Sequence, residues 1–149
     1  MNLDKFSKGM AKFSIDMKKA YDKDLPRIIG NKAVMMFKQN FQQEGFFGQK
    51  WKDVKRRQDP KTKGAARFRA ILTGSGDLGR SVKMQVSTRS VTIYSDLPYS
   101  SAHNDGTHTA GRGNHTTIPQ RQFIGPHRKI DDMVQKVAID YFTKQFNKI

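Results

Sequence analysis

The sequence predicts an α+β protein, and three observations carry that prediction. Apolar residues recur at helical spacing near both ends of the chain. An alternating pair of strands lies between them, and clusters of turn residues mark the boundaries. At 149 residues the chain is long enough for one modest core.

Leu3, Phe6, Met10, Phe13, Met17 and Tyr21 step by three and four, with lysines and aspartates opposite. This is an amphipathic helix, and residues 1–24 are expected to form an N-terminal helical arm. A helix of this length is marginal alone, so its stripe predicts a partner surface in its own domain or in a neighbouring subunit. Asp24-Leu25-Pro26 reads as a helix restart, with Asp24 as cap and the proline in the first turn. Leu25, Ile28, Ile29, Ala33, Met36, Phe37 and Phe41 continue at helical spacing towards a stop at Gly45. Phe46, Phe47 and Trp51 then flank Gly48 and are expected to fold back over the helix end. A stacking platform for bases is the sharper alternative for these aromatics, since they sit beside lysines.

Residues 50–69 are expected to form a mobile basic loop, with a short helix from Ala65 to Leu72. Thr73 to Gly79 is dense in turn residues, but its glycines precede a strand and no Lys-Ser/Thr pair follows, which argues against a phosphate loop. Val82, Met84 and Val86 alternate with polar residues, and Val91-Thr92-Ile93-Tyr94-Ser95 has strand composition. Together they predict a hairpin with one wet face. Residues 100–117, with three glycines and three histidines, are expected to be a long polar loop. After Pro126, the positions Ile130, Met133, Val134, Val137, Ala138, Tyr141, Phe142, Phe146 and Ile149 trace a broad apolar helix face. Asp131 and Asp132 near its start and Lys144 and Lys148 near its end suit the helix dipole. Residues 25–149 read as a single domain without internal repeats.

Composition narrows the function. Hydrophobic residues make up only 36% of the chain, so much of it must be surface, loop or contact face. There is no cysteine, which excludes disulfides, thiolate catalysis and cysteine zinc sites. No apolar run approaches the roughly 20 residues of a membrane span, and the first residues lack the apolar core of a secretory signal. A soluble protein made in a cytoplasm, with no membrane partner, is expected.

The net charge is +15 and is unevenly spread. Between residues 50 and 69 lie Lys50, Lys52, Lys55, Arg56, Arg57, Lys61, Lys63, Arg67 and Arg69, against only Asp53 and Asp59, a net of +7. Such a field attracts nucleic acid or an acidic protein surface. A solvated basic loop is the plain alternative.

Catalytic chemistry finds little support. His103, His108, His115 and His127 invite a metal reading, but their spacings match no helix-face or finger pattern. His103-Asn104-Asp105 with Asn114-His115 suggests a metal-dependent nuclease, yet a glycine-rich loop holds such ligands poorly. No serine sits in a nucleophile elbow, and Glu44 is the only glutamate. No catalytic residue, metal or cofactor is expected.

Several motifs in order carry a resemblance. Phe41-Gln-Gln-Glu-Gly45 ends a helix and Trp51 follows; Leu72-Thr-Gly-Ser-Gly-Asp-Leu-Gly-Arg-Ser-Val82 leads into the hairpin. Tyr99-Ser-Ser-Ala-His103 and Gly106 come next, then Ile118-Pro-Gln-Arg-Gln-Phe-Ile-Gly125 before the last helix. From residue 25 to 149 this series resembles the phage virion morphogenesis family, the tail completion and head–tail joining proteins of tailed bacteriophages. The Ile-Pro-x-Arg-x-Phe-x-Gly turn is its most specific part. The N-terminal helix and the histidine-bearing loop depart from the pattern.

The resemblance implies a small α+β subunit, with an antiparallel sheet of the hairpin plus additional strands packed against two or three helices. It implies a homo-oligomeric ring, a hexamer or dodecamer, in the virion neck or at the head-proximal end of the tail. Tail tube and portal or connector proteins would be its partners, with DNA passing through or touching it, and the host cytoplasm the place of assembly. In that setting Arg121, on a turn fixed by Pro119, would reach a carboxylate of an adjacent subunit. Packing within its own domain is the equal alternative. Phe123 would anchor the turn, Tyr99 and His103 would pack at the loop base, and Gly106 and Gly125 would supply backbone freedom at the interface. A stand-alone nucleic-acid-binding protein is the second reading, and the metal-dependent nuclease the third.

Overall fold

The computed structural model describes residues 3–148. Its α+β class agrees with the sequence, and its strands are distributed among three two-stranded antiparallel ribbons. The element order is α1 (Leu3–Lys19), a π-helical turn (Ala20–Asp24), α2 (Leu25–Gln43), β1 (Gly45–Phe46), β2 (Gln49–Lys50), α3 (Lys55–Gln58), α4 (Ala65–Phe68), α5 (Asp77–Arg80), β3 (Val82–Ser87), β4 (Ser90–Ser95), α6 (Ser100–Asp105), β5 (Thr107–Ala110), β6 (Thr116–Ile118) and α7 (Arg128–Phe146). Ile149, the last position of the predicted C-terminal apolar face, lies outside the described residues.

Two compact units emerge. One comprises Met1–Ala33, Met84–Thr92 and Arg128–Ile149; the other comprises Val34–Lys83 and Ile93–His127.

In the first unit the predicted helix restart does not occur. Asp24 caps nothing, and the helix runs on through a π turn in which the Leu25 N–H bonds to the Ala20 carbonyl. Pro26 has no N–H to give to the carbonyl four residues back, which is that of Asp22. The Arg89 N–H in the β3–β4 turn takes that carbonyl instead, at 3.0 Å. The Arg89 guanidinium also reaches the Asp22 carboxylate at 2.7 Å and lies over the Tyr21 ring. The Asp24 carboxylate accepts a bond from the Tyr141 hydroxyl at 3.0 Å; burial, with that carboxylate beside it, pushes the phenol's pKa up. Gly30 permits close packing of the hairpin: a Cβ there would lie 2.7 Å from the Met84 sulfur and from a Val91 methyl. Ala20, Leu25, Ala33 and Val137 are buried here, and Phe13 packs on Phe146 with centroids 5.3 Å apart.

In the second unit Phe37, Phe41, Phe46, Trp51, Ile71, Leu78, Val82 and Phe123 form the buried apolar set. Phe41 is its hub, tilted on Phe123 at 5.0 Å and edge-on to Trp51 at 5.7 Å. The aromatics after α2 therefore fold back as core, with Phe46 and Trp51 buried and unable to serve as an open stacking platform. The helix stop falls at Glu44, which adopts left-handed backbone with φ 49°, one residue before the predicted glycine.

Two expected loops are corrected. Residues 100–117 are not loop: they form α6 and most of the bulged β5–β6 ribbon, in which Thr107 faces Ile118 and Ala110 faces Thr116. The helix expected from Ala65 to Leu72 is a single turn, α4.

Candidate interaction surface

The segment from Tyr99 to Gly125 is held by a clasp of polar side chains, all within the second unit. Asn40, on α2, is almost wholly buried. Its amide nitrogen donates to the Phe123 carbonyl at 3.1 Å, and its amide oxygen accepts the Phe47 N–H at 3.0 Å. Asn104, on α6, accepts the N–H groups of both Phe123 and Ile124, at 2.9 and 3.0 Å. The Trp51 indole donates to the Gln122 carbonyl at 2.7 Å. Phe123 is thus gripped on both backbone sides while its ring, 1% exposed, fills the core. Such satisfied buried amides fix a single geometry.

Arg121 is 7% exposed and works inside its own chain. Its N–H bonds to the His103 carbonyl at 2.8 Å. Its guanidinium donates to the Lys52 carbonyl at 3.0 Å and to the Asp53 carbonyl at 3.2 Å. Of the two alternatives the sequence left open, packing within the domain describes this side chain. Burial lowers its pKa, nearby Arg56 adds to that effect, and Asp53 opposes it.

The other residues of the segment are placed less deeply. Tyr99 is exposed and meets the half-buried His103 ring edge-on at 6.1 Å. His103 Nδ1 is buried without a hydrogen-bond partner, and burial, with a contribution from Arg121, holds the imidazole below its ordinary pKa. Pro119 is half-buried. Gly106 has φ 76°, and a Cβ there would press within 2.8 Å of the Gln120 nitrogen, so no other residue fits. Gly125, at φ 155°, closes the segment.

The basic segment separates into braces and outward charges. Arg56 donates to the carbonyls of Ala66, Arg69 and Ala70, at 3.0, 2.6 and 3.1 Å. Arg67 donates to the Arg57 carbonyl at 3.2 Å. Arg57 pairs with both oxygens of Glu44, at 2.5 and 3.1 Å, and with Asp53 at 3.2 Å. Glu44 also accepts the Ile71 N–H at 2.7 Å. The Arg57 bond, opposed by burial and aided by the Ile71 N–H, holds the Glu44 carboxyl below its usual pKa. The segment is tied down rather than loose. Lys50, Lys52, Lys55, Lys61, Lys63 and Arg69 remain exposed, and Phe68 stands among them at 79% exposure.

Asn40 and the bracing role of Arg56 escaped the sequence reading. An asparagine between Phe37 and Phe41 on an apolar helix face was the available signal for Asn40. A run of arginines gives no comparable hint of which ones turn inward.

The histidines are dispersed. His108 Nδ1 lies 3.4 Å from the Thr117 hydroxyl and His127 stacks on Phe47. Among the described residues, no three His, Cys, Asp or Glu side chains form a group fit to hold a metal ion. No helix among them is long and apolar enough to cross a membrane.

The family model for phage virion morphogenesis matches residues 8–143. No curated protein and no solved structure matches the chain. The family match spans most of the chain, the N-terminal helix included, and takes in both the clasped turn and the braced basic segment. The chain belongs to the phage virion morphogenesis family, and its role is in building the phage virion.

Proposed function

We propose that the chain is a structural subunit of the virion neck or head-proximal tail end, acting as a homo-oligomeric ring that completes the tail or joins it to the head connector. The observation that supports this most is the clasp. Asn40, Asn104, Trp51 and Arg121 direct their polar groups to the chain's own backbone, which gives the Tyr99–Gly125 segment a fixed shape. A rigid surface of this kind suits repeated subunit contacts. Tyr99 and the strand-borne tip beyond it are the parts of the segment exposed to a tail tube or portal partner.

The outward lysines support a second contact, with DNA passing through the ring. Each phosphate neutralised lowers the slope of log affinity against log salt by about 0.9. Images of particles with and without this subunit test the main reading. Density for a closed ring at the head–tail junction, lost with heads and tails left unjoined when the subunit is absent, is the expected result. Normal joined particles in its absence would sink it.

A further inference from the structure

We infer that the exposed faces of α1 and α7 are the two halves of one head-to-tail contact, in which α1 of one copy seats on α7 of the next. The inference rests on the ring reading above and names the surface through which the ring closes.

The receiving face is apolar and open. None of the residues of α1 is buried, and Phe6 is 56% exposed. Phe6, Gly9, Met10 and Phe13 line a groove of about 440 Å³, rimmed by Lys5 and Lys12. A Cβ added at Gly9 would meet nothing within 4 Å, so the helix has a notch between its larger side chains. An apolar helix face left open in this way seeks a matching one.

The opposite half lies on α7. Asp132, Gln135, Lys136, Ile139 and Asp140 fall at helical spacing and are all exposed, Ile139 at 65%. A branched aliphatic chain standing among aspartates is a knob of the size that the Gly9 notch admits.

Charge selects the occupant. Residues 3–12 carry Lys5, Lys8 and Lys12 against Asp4, a net of +2, while residues 131–140 carry Asp131, Asp132 and Asp140 against Lys136, a net of −2. In a chain of +15, an exposed acidic helix face is an exception, and the same chain supplies the basic face that complements it. Pairing α1 with α1 would set lysines against lysines. The contact is therefore heterologous, the kind that propagates around a ring.

The test uses two charge-reversed full-length variants and sedimentation velocity. K8E/K12E makes the α1 face acidic, and D132K/D140K makes the α7 face basic; all four positions are exposed, so folding, checked by circular dichroism, is retained. Each variant alone is expected to associate roughly tenfold or more weakly than the unaltered chain. Mixed one to one, they are expected to associate again, because every contact in an alternating array is complementary. Such an array closes only with an even number of subunits. Variants that keep the unaltered chain's association, or a mixture that stays dissociated, would overturn the inference while leaving a ring seen on particles intact. An unaltered chain that stays monomeric at all concentrations overturns it too. The ring reading itself falls only on the particle images.

Discussion

α1 and α2 are two stretches of one continuous helix with much the same apolar spacing and opposite fates. α2 buries Leu25, Ala33, Phe37, Asn40 and Phe41, whereas α1 buries nothing. Periodicity announces an amphipathic helix in both cases, but it does not say what covers the stripe. In α2 the cover comes from a polar and aromatic set that the helix itself anchors. Asn40 is bonded into the clasp, Phe41 packs on Trp51 and Phe123, and Glu44 ends the helix with an ion pair. α1 offers lysines and aspartates and no buried polar anchor.

The sharpest way to break this contrast is a pair of truncations. Phe123→Ala empties the space against Phe41 and is expected to cost about 3–5 kcal/mol in denaturant unfolding. Phe6→Ala, on the open stripe, is expected to stay within about 0.5 kcal/mol. Equal losses would mean that α1 is covered within its own chain after all.

A somewhat smaller effect is expected at the polar anchor. Asn40→Leu keeps the volume but leaves the Phe123 carbonyl and the Phe47 N–H without their partner, for a loss of about 2–4 kcal/mol. Amide exchange at Phe47, faster in the variant, reads the same loss locally. A stability unchanged by the substitution would show that the clasp contributes shape alone.

The smallest effect concerns the helix end and depends on pH. Glu44 has its carboxyl pKa depressed in the folded chain, so its contribution to stability is present above the unfolded value near 4.5 and is lost as pH falls through the lower folded value. Glu44→Gln is therefore expected to be less stable than the unaltered chain at neutral pH, with the gap closing below about pH 4.5. Unfolding curves across pH 3–7 read it directly. A gap that does not change with pH would assign the loss to geometry and not to charge.

Much of the scaffold was legible because it rests on local rules. The stripes of α1, α2 and α7 and the alternation of β3 were plain in the sequence, and the ends of β3 and β4 fall where the turn residues put them. The π turn was not legible. Asp24-Leu25-Pro26 satisfies the rule for a helix start, but the carbonyl that Pro26 leaves free is taken by Arg89, far along the chain. The 100–117 segment misled through its polarity: its helix has no apolar period, and its ribbon is built on threonines, whose β-branching was the overlooked signal. In the candidate surface, Gly106 followed from glycine's conformational range. Arg121 did not, because its partners are backbone carbonyls, which leave no mark in a sequence.

The division between braces and outward charges in residues 50–69 has a chemical consequence. The inward work falls to the guanidinium groups of Arg56, Arg57 and Arg67, whereas the exposed cations are, apart from Arg69, amines. A reagent that acylates amines would discharge most of the outer field and leave the hydrogen-bonded frame standing. A guanidine-directed reagent would meet its main targets only as the frame opens. Reactivity towards amines thus reports the surface, and reactivity towards guanidines reports the fold beneath it.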